Sequence, residues 1–446
     1  MNRTERQKLA IRRWLDSNGI GTIVAATGFG KTYMTCMLIK ALYNKNPRLS
    51  VLIGVPTEVL KEQWLRELAK NQLFSVCKVE IFNTIVKNQY TVDLFVIDEI
   101  HCACSENNIN MFKAVKYRYF LGLTATFERL DGKEDRLSEF TYVCDRINIK
   151  EAVDNNWLSD YRNYKVLIDV DLSLYHEWNQ KFQSLFSIFN FEFNTVMSCI
   201  SRPGFASKYA KKTGWSESQV KGFAAAWMRM LRKRKSFVMS HPKKFEIADK
   251  ILDARSDKKA ITFSATIKDA EYFKKRGYVL HSKQKKKENN TIIESFNQQT
   301  IGVLSTSKSC DAGVDIKGLS VGIILSGDSS KTRTTQRIGR ICRFEQGKLA
   351  EMFTLVIKGT IEETWYNNSN SNQQYITIDE SQLDIVLSGK EIMNYGKKEI
   401  DSKIDKINSS NKKVFNKIKL NVKIFAVIIV FTLILCAVLY GVRYDS

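Results

Sequence analysis

The sequence lacks the features that mark secreted and zinc-bound proteins. Its nine cysteines are scattered along 446 residues without paired spacing, and residues 1–6 are polar where a secretory signal would carry an apolar run. We therefore expect reduced thiols in a cytosolic setting rather than a disulfide framework. Cys102 and Cys104 lie beside His101, but no second ligand pair lies nearby at metal spacing, so we expect no zinc site.

Acidic residues are scarce relative to basic ones. The chain has 69 Lys and Arg against 47 Asp and Glu, which gives a formal net charge of +22. Most of the excess lies in residues 201–290, which carry 24 basic and 8 acidic side chains. A surplus concentrated in one region favours a polyanionic partner over a merely solvated surface, and it indicates nucleic acid.

Long uncharged runs are also rare, and the clearest one covers residues 424–442. Nineteen residues at about 1.5 Å per residue span roughly 28 Å, about one hydrocarbon core. Five lysines (412, 413, 417, 419 and 423) precede the run and only Arg443 follows it. This bias predicts a C-terminal transmembrane helix that anchors a cytoplasmic body, with a buried core helix as the alternative.

A glycine-bearing turn lies between an apolar run and a helical pattern near the start of the chain. The turn is Thr27-Gly28-Phe29-Gly30-Lys31-Thr32. Gly28 and Gly30 let backbone N–H groups point into one concavity, where the helix N-terminus adds partial positive charge. Lys31 can then reach the β- and γ-phosphates of ATP, and Thr32 can bind Mg²⁺. Ala25 stands where this pattern has its first glycine, so a tight turn with a solvated lysine is the alternative.

Two carboxylates supply a second part of the same predicted site. Residues 92–97 read as a buried strand that ends at Asp98-Glu99. There Asp98 can hold Mg²⁺ through water, and Glu99 can orient or deprotonate the attacking water. Two other strand patterns end in polar turns, one at Pro56-Thr57 and one at Thr124-Ala125-Thr126. Upstream, Gln7 on an amphipathic helical pattern is a candidate to read the adenine edge.

Taken in order, these motifs resemble those of superfamily-2 DExH-box helicases. Gln63-Trp64 after the Pro56-Thr57 turn, and Arg129 with Asp131-Gly132, are similar to the branch of type III restriction, DNA-repair and phage helicases, although Phe127 stands where that branch commonly has proline. The resemblance covers residues 3–360. It implies an α/β fold of two tandem RecA-like parallel-sheet domains, with ATP and Mg²⁺ bound between them.

The second half contains the arginines that such a site needs. Strand patterns at 260–264, 301–306 and 321–325 precede Gln336-Arg337-Ile338-Gly339-Arg340-Ile341-Cys342-Arg343. Arg340 and Arg343 are three residues apart on a predicted helix, so both can clamp the γ-phosphate. The resemblance implies that Gln336 also holds the γ-phosphate and that Asp315 contacts the ribose or the closed interface. It further implies nucleic-acid phosphate contacts from Pro56 and Thr57 through their backbone, and from Ser264, Ser305 and Thr306.

The predicted organisation has five parts. They are an ATP-binding domain (1–165), a helical basic insertion (166–250), a C-terminal helicase domain (251–365), a polar and basic linker (366–423) and a transmembrane helix (424–442). Within the insertion, Phe182, Phe186 and Phe189 recur at helical spacing, so we expect a core rather than base-stacking platforms.

The sequence thus predicts an ATP-dependent DNA helicase or translocase. An RNA helicase of the same fold remains an alternative, because the motifs serve both nucleic acids. A membrane-tethered nucleic-acid-binding ATPase that acts as a switch without unwinding is a second alternative. The hydrophobic tail alone suggests a third, a membrane motor for DNA uptake.

Overall fold

A computed structural model describes residues 1–127, 132–307, 316–327, 329–371 and 373–390. The chain divides into two compact units, 1–390 and 391–446. The second unit contains residues 391–423 of the predicted linker and the predicted transmembrane helix, and it lies outside the described residues. Arg129, Asp131 and Asp315 lie outside them as well.

The first lobe contains a six-stranded sheet in the order β3-β2-β4-β5-β1-β6, with every pair parallel. Its strands are β1 (Ile20–Ala25), β2 (Val51–Val55), β3 (Cys77–Ile81), β4 (Tyr90–Asp98), β5 (Val115–Thr124) and β6 (Val143–Ile147). All five residues of β2 are buried, because helices cover both faces of a parallel sheet.

Helices connect these strands and cover the sheet. They are α1 (Arg3–Asp16), α2 (Lys31–Lys45), α3 (Glu58–Lys70), α4 (Phe82–Ile85), α5 (Met111–Ala114) and α6 (Ile149–Asp154), with 3-10 turns at Ile100–Cys104, Asn108–Asn110 and Lys133–Leu137. Trp14 of α1 and Trp64 of α3 are almost fully buried in the same core as Phe29. This core therefore fixes α1 and α3 relative to Phe29, which lies in the glycine-bearing turn at residues 27–32, the predicted phosphate loop.

The second lobe contains a seven-stranded parallel sheet in the order β13-β7-β12-β11-β8-β10-β9. Its strands are β7 (Asp160–Ile168), β8 (Lys259–Ser264), β9 (Gly277–Leu280), β10 (Gly302–Ser307), β11 (Val321–Ile324), β12 (Leu349–Ile357) and β13 (Ile376–Ile378). The predicted fold class, two parallel-sheet α/β domains in tandem, is confirmed.

The helices of the second half fall into two groups. The insertion consists of α7 (Ser173–Ser187), α8 (Phe193–Ser201), α9 (Phe205–Thr213) and α10 (Glu217–Met239), which share a hydrophobic core of their own. The second lobe adds α11 (Pro242–Ala254), α12 (Ile267–Glu271), α13 (Lys286–Gln298), α14 (Lys331–Ile341), α15 (Ile361–Ser369) and α16 (Glu380–Leu387), with a 3-10 turn at Tyr272–Arg276.

Two predicted boundaries need correction. Strand β7 pairs along its whole length with β12, so the second sheet begins at Asp160 and not at residue 251, where the second helicase domain is predicted to begin. The stretch from 366 to 390 is not a flexible linker in its described part, because β13 pairs with β7 and the side chains of Tyr366 and Asn370 are buried. In both places long-range pairing gives the backbone hydrogen-bond partners that local composition did not reveal.

No helix among residues 1–390, as far as they are described, is long and apolar enough to cross a bilayer.

Candidate functional site

The predicted phosphate loop joins the end of β1 to the start of α2. Gly28 and Gly30 have φ values of 87° and 96°, in the left-handed region that side chains disfavour. The Lys31 ammonium turns back into the loop, where Nζ donates to the Ala25 carbonyl oxygen at 3.2 Å. Thr27 Oγ1 is buried and has no hydrogen-bond partner among the described residues. A tight loop with a lysine over its centre and an unsatisfied hydroxyl fits the phosphates of a nucleotide.

Helix α1 holds this loop from one side. Gln7 Nε2 donates to the Phe29 carbonyl oxygen at 3.0 Å, and Arg3 Nε donates to the same oxygen at 2.8 Å. The fit is close, since a Cβ on Gly30 would lie 2.9 Å from Gln7 Nε2. Gln7 is therefore beside the loop, as the sequence predicts, and its contact with adenine stays a prediction.

Asp98 lies at the carboxyl end of β4 with both carboxylate oxygens in hydrogen bonds. Trp64 Nε1 donates to Oδ2 at 2.8 Å, and the Glu99 backbone N–H donates to Oδ1 at 3.0 Å. Burial, together with the charge of Glu99, raises the pKa of Asp98 to about 6. From the sequence, Trp64 contributes only to the family resemblance. In the structure, the Trp64 indole fixes the orientation of the Asp98 carboxylate, which is predicted to bind Mg²⁺.

Glu99 adopts a left-handed backbone conformation with φ 53°. This conformation costs free energy for a non-glycine residue, and it persists only where the surrounding structure holds it in place. His101 does so here, since its Nδ1 lies 3.3 Å from Glu99 Oε2 and 3.0 Å from Thr124 Oγ1. Burial alone would raise the pKa of Glu99, but the His101 contact and the Lys31 charge lower it to about 2. The carboxylate is therefore ionised and oriented beside Lys31.

Helix α14 of the second lobe packs directly on the phosphate loop of the first. A Cβ on Gly339 would lie 2.3 Å from Thr27 Cβ, and a Cβ on Gly28 would lie 3.5 Å from Arg343 Cγ. Arg340 is buried, and burial lowers the pKa of Arg343. Gln336 forms a side-chain hydrogen bond that helps lower the pKa of Glu99. The structure thus places Gln336 and Arg340 on the helix that covers the loop. Arg343, predicted to lie on the same helix, instead follows two residues after α14 ends at Ile341.

Two further contacts between the lobes were not evident from the sequence. Thr126 Oγ1 and Thr332 Oγ1 share a hydrogen bond of 2.8 Å, which joins the turn after β5 to the start of α14. Ser159 Oγ, in the segment between the lobes, donates to the Arg343 carbonyl oxygen at 3.0 Å and accepts from the Glu345 backbone N–H at 3.0 Å. Single hydroxyls carry no sequence pattern, so only the tertiary structure reveals these roles.

The residues predicted to bind nucleic-acid phosphates differ in their exposure. Pro56 and Thr57 are partly exposed, and Thr57 Oγ1 caps α3 by accepting from the Leu60 backbone N–H at 3.3 Å. Ser264, Ser305 and Thr306 are buried at the carboxyl ends of β8 and β10. Ser305 Oγ already accepts a hydrogen bond from Thr262 Oγ1 at 2.8 Å. A phosphate would reach these hydroxyls only after neighbouring residues move, so their assignment stays a prediction.

The described part of the chain contains no cluster of three or more His, Cys, Asp or Glu side chains that could hold a metal ion. Thr32 at the start of α2 and Asp98 at the end of β4 would supply a hydroxyl and a carboxylate to Mg²⁺. This donor set fits that ion, which keeps several waters and takes few protein oxygens when it binds with phosphates.

Two family models match the chain. The model described as "Type III restriction enzyme, res subunit" matches residues 1–93, and the model described as "Helicase conserved C-terminal domain" matches residues 243–345. The first covers the phosphate loop and β2, and the second covers β8 to α14. Each model therefore falls on one lobe and leaves the helical insertion between them unmatched.

Similar proteins have related descriptions. The chain is 23% identical over 380 residues to the DNA 3'-5' translocase XPB2 of Sulfurisphaera tokodaii, which covers 80% of this chain and 82% of that protein. It is 24% identical over 308 residues to the TFIIH basal transcription factor complex helicase/translocase XPB subunit of Trypanosoma brucei brucei, covering 66% of this chain and 29% of that protein.

Solved structures share the fold. The ATP-dependent Type ISP restriction-modification enzyme LlaBIII bound to DNA gives a TM-score of 0.54 at 14% identity, over 84% of this chain and 31% of that one. Dbp5 of S. cerevisiae bound to RNA and ADP BeF3 gives 0.54 at 13% identity, over 86% of this chain and 91% of that one. The ordered motifs, the paired lobes and the two family models together support a superfamily-2 helicase.

Proposed function

We propose that this chain is a DNA translocase or helicase that couples ATP hydrolysis to movement along nucleic acid. One observation carries the proposal: the arginine-bearing helix α14 of one lobe lies on the phosphate loop of the other. A nucleotide held there contacts both lobes, so hydrolysis and release change the contacts that hold the lobes together.

Each residue of the site has a distinct task in this proposal. Lys31 and the loop N–H groups bind the phosphates, while Thr32 and Asp98 hold Mg²⁺. Glu99 orients the attacking water and accepts its proton, since it is ionised and fixed by His101. Arg340 and Arg343 stabilise the charge that spreads over the γ-phosphate oxygens, and Gln336 contributes beside them. Bound magnesium ATP supplies the electrophilic phosphorus.

DNA is favoured over RNA as the track. The fold alone does not distinguish DNA from RNA, because one structure of similar fold is bound to DNA and another to RNA. The XPB2 relative, however, is described as a DNA translocase and matches 80% of this chain. The net charge of +22 supports a nucleic-acid partner of either kind.

The test compares nucleic acids in two assays on the full chain. We expect single-stranded or duplex DNA to stimulate ATP hydrolysis more than RNA of the same sequence, and ATP to drive displacement of a strand from a duplex or a triplex. Stronger stimulation by RNA would instead support an RNA helicase, because only a 2′-hydroxyl separates the two ligands. Salt-sensitive binding without any displacement would support an ATPase switch.

Replacing Gly339 by alanine tests whether the lobes act in the arrangement seen here. The new Cβ would lie 2.3 Å from Thr27 Cβ, so α14 can no longer rest on the loop. We expect DNA-stimulated ATP hydrolysis to fall by about a hundredfold, the scale of a misplacement of roughly 1 Å in an active site. Gly222→Ala is the matched control, because nothing lies within 4 Å of a Cβ there. Hydrolysis at the wild-type rate in Gly339→Ala would contradict this arrangement.

We also propose that residues 424–442 anchor the body to a membrane. The support is the uncharged run itself and the lysines that precede it. We expect the full chain to stay with anionic lipid vesicles through a high-salt and carbonate wash, and a chain ending at Lys390 to remain in the supernatant. Release of the full chain by salt alone would show electrostatic attachment and contradict insertion.

A further inference from the structure

The helical insertion concentrates positive charge on its surface. Residues 202–235 contain ten Lys and Arg but a single acidic residue, Glu217, which pairs with Lys221 at 2.6 Å. Nine of the ten basic side chains are exposed. A solvated face would be expected to mix both signs, so this region is suited to a polyanion.

Most aromatic residues of the insertion build its core, as the sequence predicts. Phe189 and Trp227 are almost fully buried, and Phe182 is 9% exposed. The Phe182 ring stacks on Trp227 with centroids 5.1 Å apart. These rings are therefore structural, and any base-stacking role must come from other side chains.

Two phenylalanines behave differently: Phe191 lies in the turn between α7 and α8, and Phe193 is the first residue of α8. Phe191 and Phe193 are 59% and 53% exposed. The turn is strained, because Asn190 and Phe191 both have positive φ, 52° and 59°. An aromatic residue in that conformation is a true outlier and needs a compensating reason.

The core beneath holds both rings in place at the surface. Phe191 packs edge-on against Phe186 with centroids 5.6 Å apart, and its backbone N–H donates to the Phe186 carbonyl oxygen at 3.1 Å. Phe193 packs edge-on against Trp227 at 5.9 Å. The two rings thus present apolar surface to solvent from a fixed support, which lowers the entropy lost when a ligand binds.

Helix α9, which carries exposed lysines, contacts this turn through Tyr209. The Tyr209 hydroxyl donates to the Ile188 carbonyl oxygen at 2.8 Å, and its ring stacks on Phe189 at 5.6 Å. Lys208 and Lys212 come one residue before and three residues after Tyr209, and both are exposed. Glu192 is the acid within the turn, and its carboxylate accepts from the Thr195 hydroxyl at 2.6 Å.

We propose that Phe191 and Phe193 form a stacking site for unpaired DNA bases, whose phosphates are bound by the lysines of α9. The inference rests on the proposed function, since it names the part of the DNA that the insertion contacts. Every base has a π-face, so stacking is tolerant of sequence. A duplex hides these faces between its own base pairs, and the ligand is therefore a single strand.

The test uses two DNA strands of equal charge. One is a single-stranded oligonucleotide, and the other has the same length but abasic positions at its centre. We expect the wild-type full chain to bind the normal strand roughly tenfold more tightly, within the range of base–aromatic stacking. The double variant Phe191→Leu/Phe193→Leu keeps apolar side chains but loses the rings, and it should bind both strands with the affinity of the abasic one. A 2-aminopurine base in the normal strand should be quenched by the wild type and not by the variant.

Matched variants separate stacking from charge. Phe74→Leu changes another exposed phenylalanine, 61% exposed and located on the first lobe, and it should leave the discrimination intact. The double variant Lys208→Ala/Lys212→Ala should lower the affinity for both strands by the same factor and reduce the salt dependence of binding. Equal binding of both strands by the wild type would overturn the stacking site while DNA still stimulates ATP hydrolysis. If no DNA stimulates hydrolysis, the proposed function itself fails.

Discussion

Replacing Arg340 by alanine is expected to lower DNA-stimulated ATP hydrolysis by about a thousandfold or more. Arginines supplied across an interface contribute this much to phosphoryl transfer, because they stabilise charge that develops only in the transition state. Arg340 is buried on the helix whose Gly339 rests on Thr27. The side chain is thus already largely removed from water, where a charge interacts more strongly than in solvent.

The measurement is a steady-state ATPase assay at saturating DNA, with nucleotide binding determined separately. Arg333→Ala is the matched control, since Arg333 lies on the same helix but is exposed, and we expect hydrolysis near the wild-type rate. Because Arg340 acts in the transition state, ATP affinity in Arg340→Ala should change far less than the turnover rate. A variant that hydrolyses ATP within tenfold of the wild type would contradict the assigned role.

The second large effect concerns the stability of the second lobe. Lys244 of α11 and Glu362 of α15 form a fully buried ion pair, with Nζ and Oε1 2.5 Å apart. Lys244 Nζ also donates to the Leu325 carbonyl oxygen at 2.7 Å, and Glu362 Oε2 accepts from the Ile357 backbone N–H at 2.9 Å. Lys244→Met should lower the free energy of unfolding by about 3–5 kcal/mol, because it leaves a buried carboxylate without its counter-charge.

Denaturant unfolding followed by circular dichroism measures this loss. Lys243→Met is the matched control. The Lys243 ammonium is partly exposed and lies 3.4 Å and 3.5 Å from the carboxylates of Glu246 and Glu380. Its loss should therefore change the free energy of unfolding little. In the double variant Lys244→Met/Glu362→Leu neither charge of this pair remains, so most of the lost free energy of unfolding should be recovered. A cost below about 1 kcal/mol in Lys244→Met would contradict the importance of this pair.

The fold was largely predictable because its signals are local, and the candidate nucleotide site was assembled from the same signals. Each motif combines a strand pattern with polar residues directly after it, as at Asp98 and Glu99. In a parallel sheet the carboxyl ends of the strands share one edge, so motifs far apart along the chain converge without further information. The same logic applies to the arginines in and just after α14, whose contact with the nucleotide stays a prediction.

The prediction was wrong where the answer depended on distant pairing. Residues 160–168 lie across the predicted boundary between the ATP-binding domain and the insertion, yet they form β7 of the second sheet, and about ninety residues separate β7 from β8. The insertion interrupts the second domain after its first strand, so the boundary could not be located from nearby composition. The polar stretch near residue 370 looked like a linker, yet Asn370 is buried, and its Oδ1 accepts a hydrogen bond from Asn163 Nδ2 of β7 at 3.2 Å.

By itself, the sequence determined which residue types can bind a nucleotide, hydrolyse it and attract a polyanion, since those properties follow from short spacings and from charge. Packing of the whole chain was needed to show that Trp64 donates to Asp98, that Ser159 binds the backbone just after α14, and that Phe191 is exposed while Phe189 is buried. The physical reason is that burial and hydrogen bonding of single side chains depend on elements that are brought together only when the chain packs.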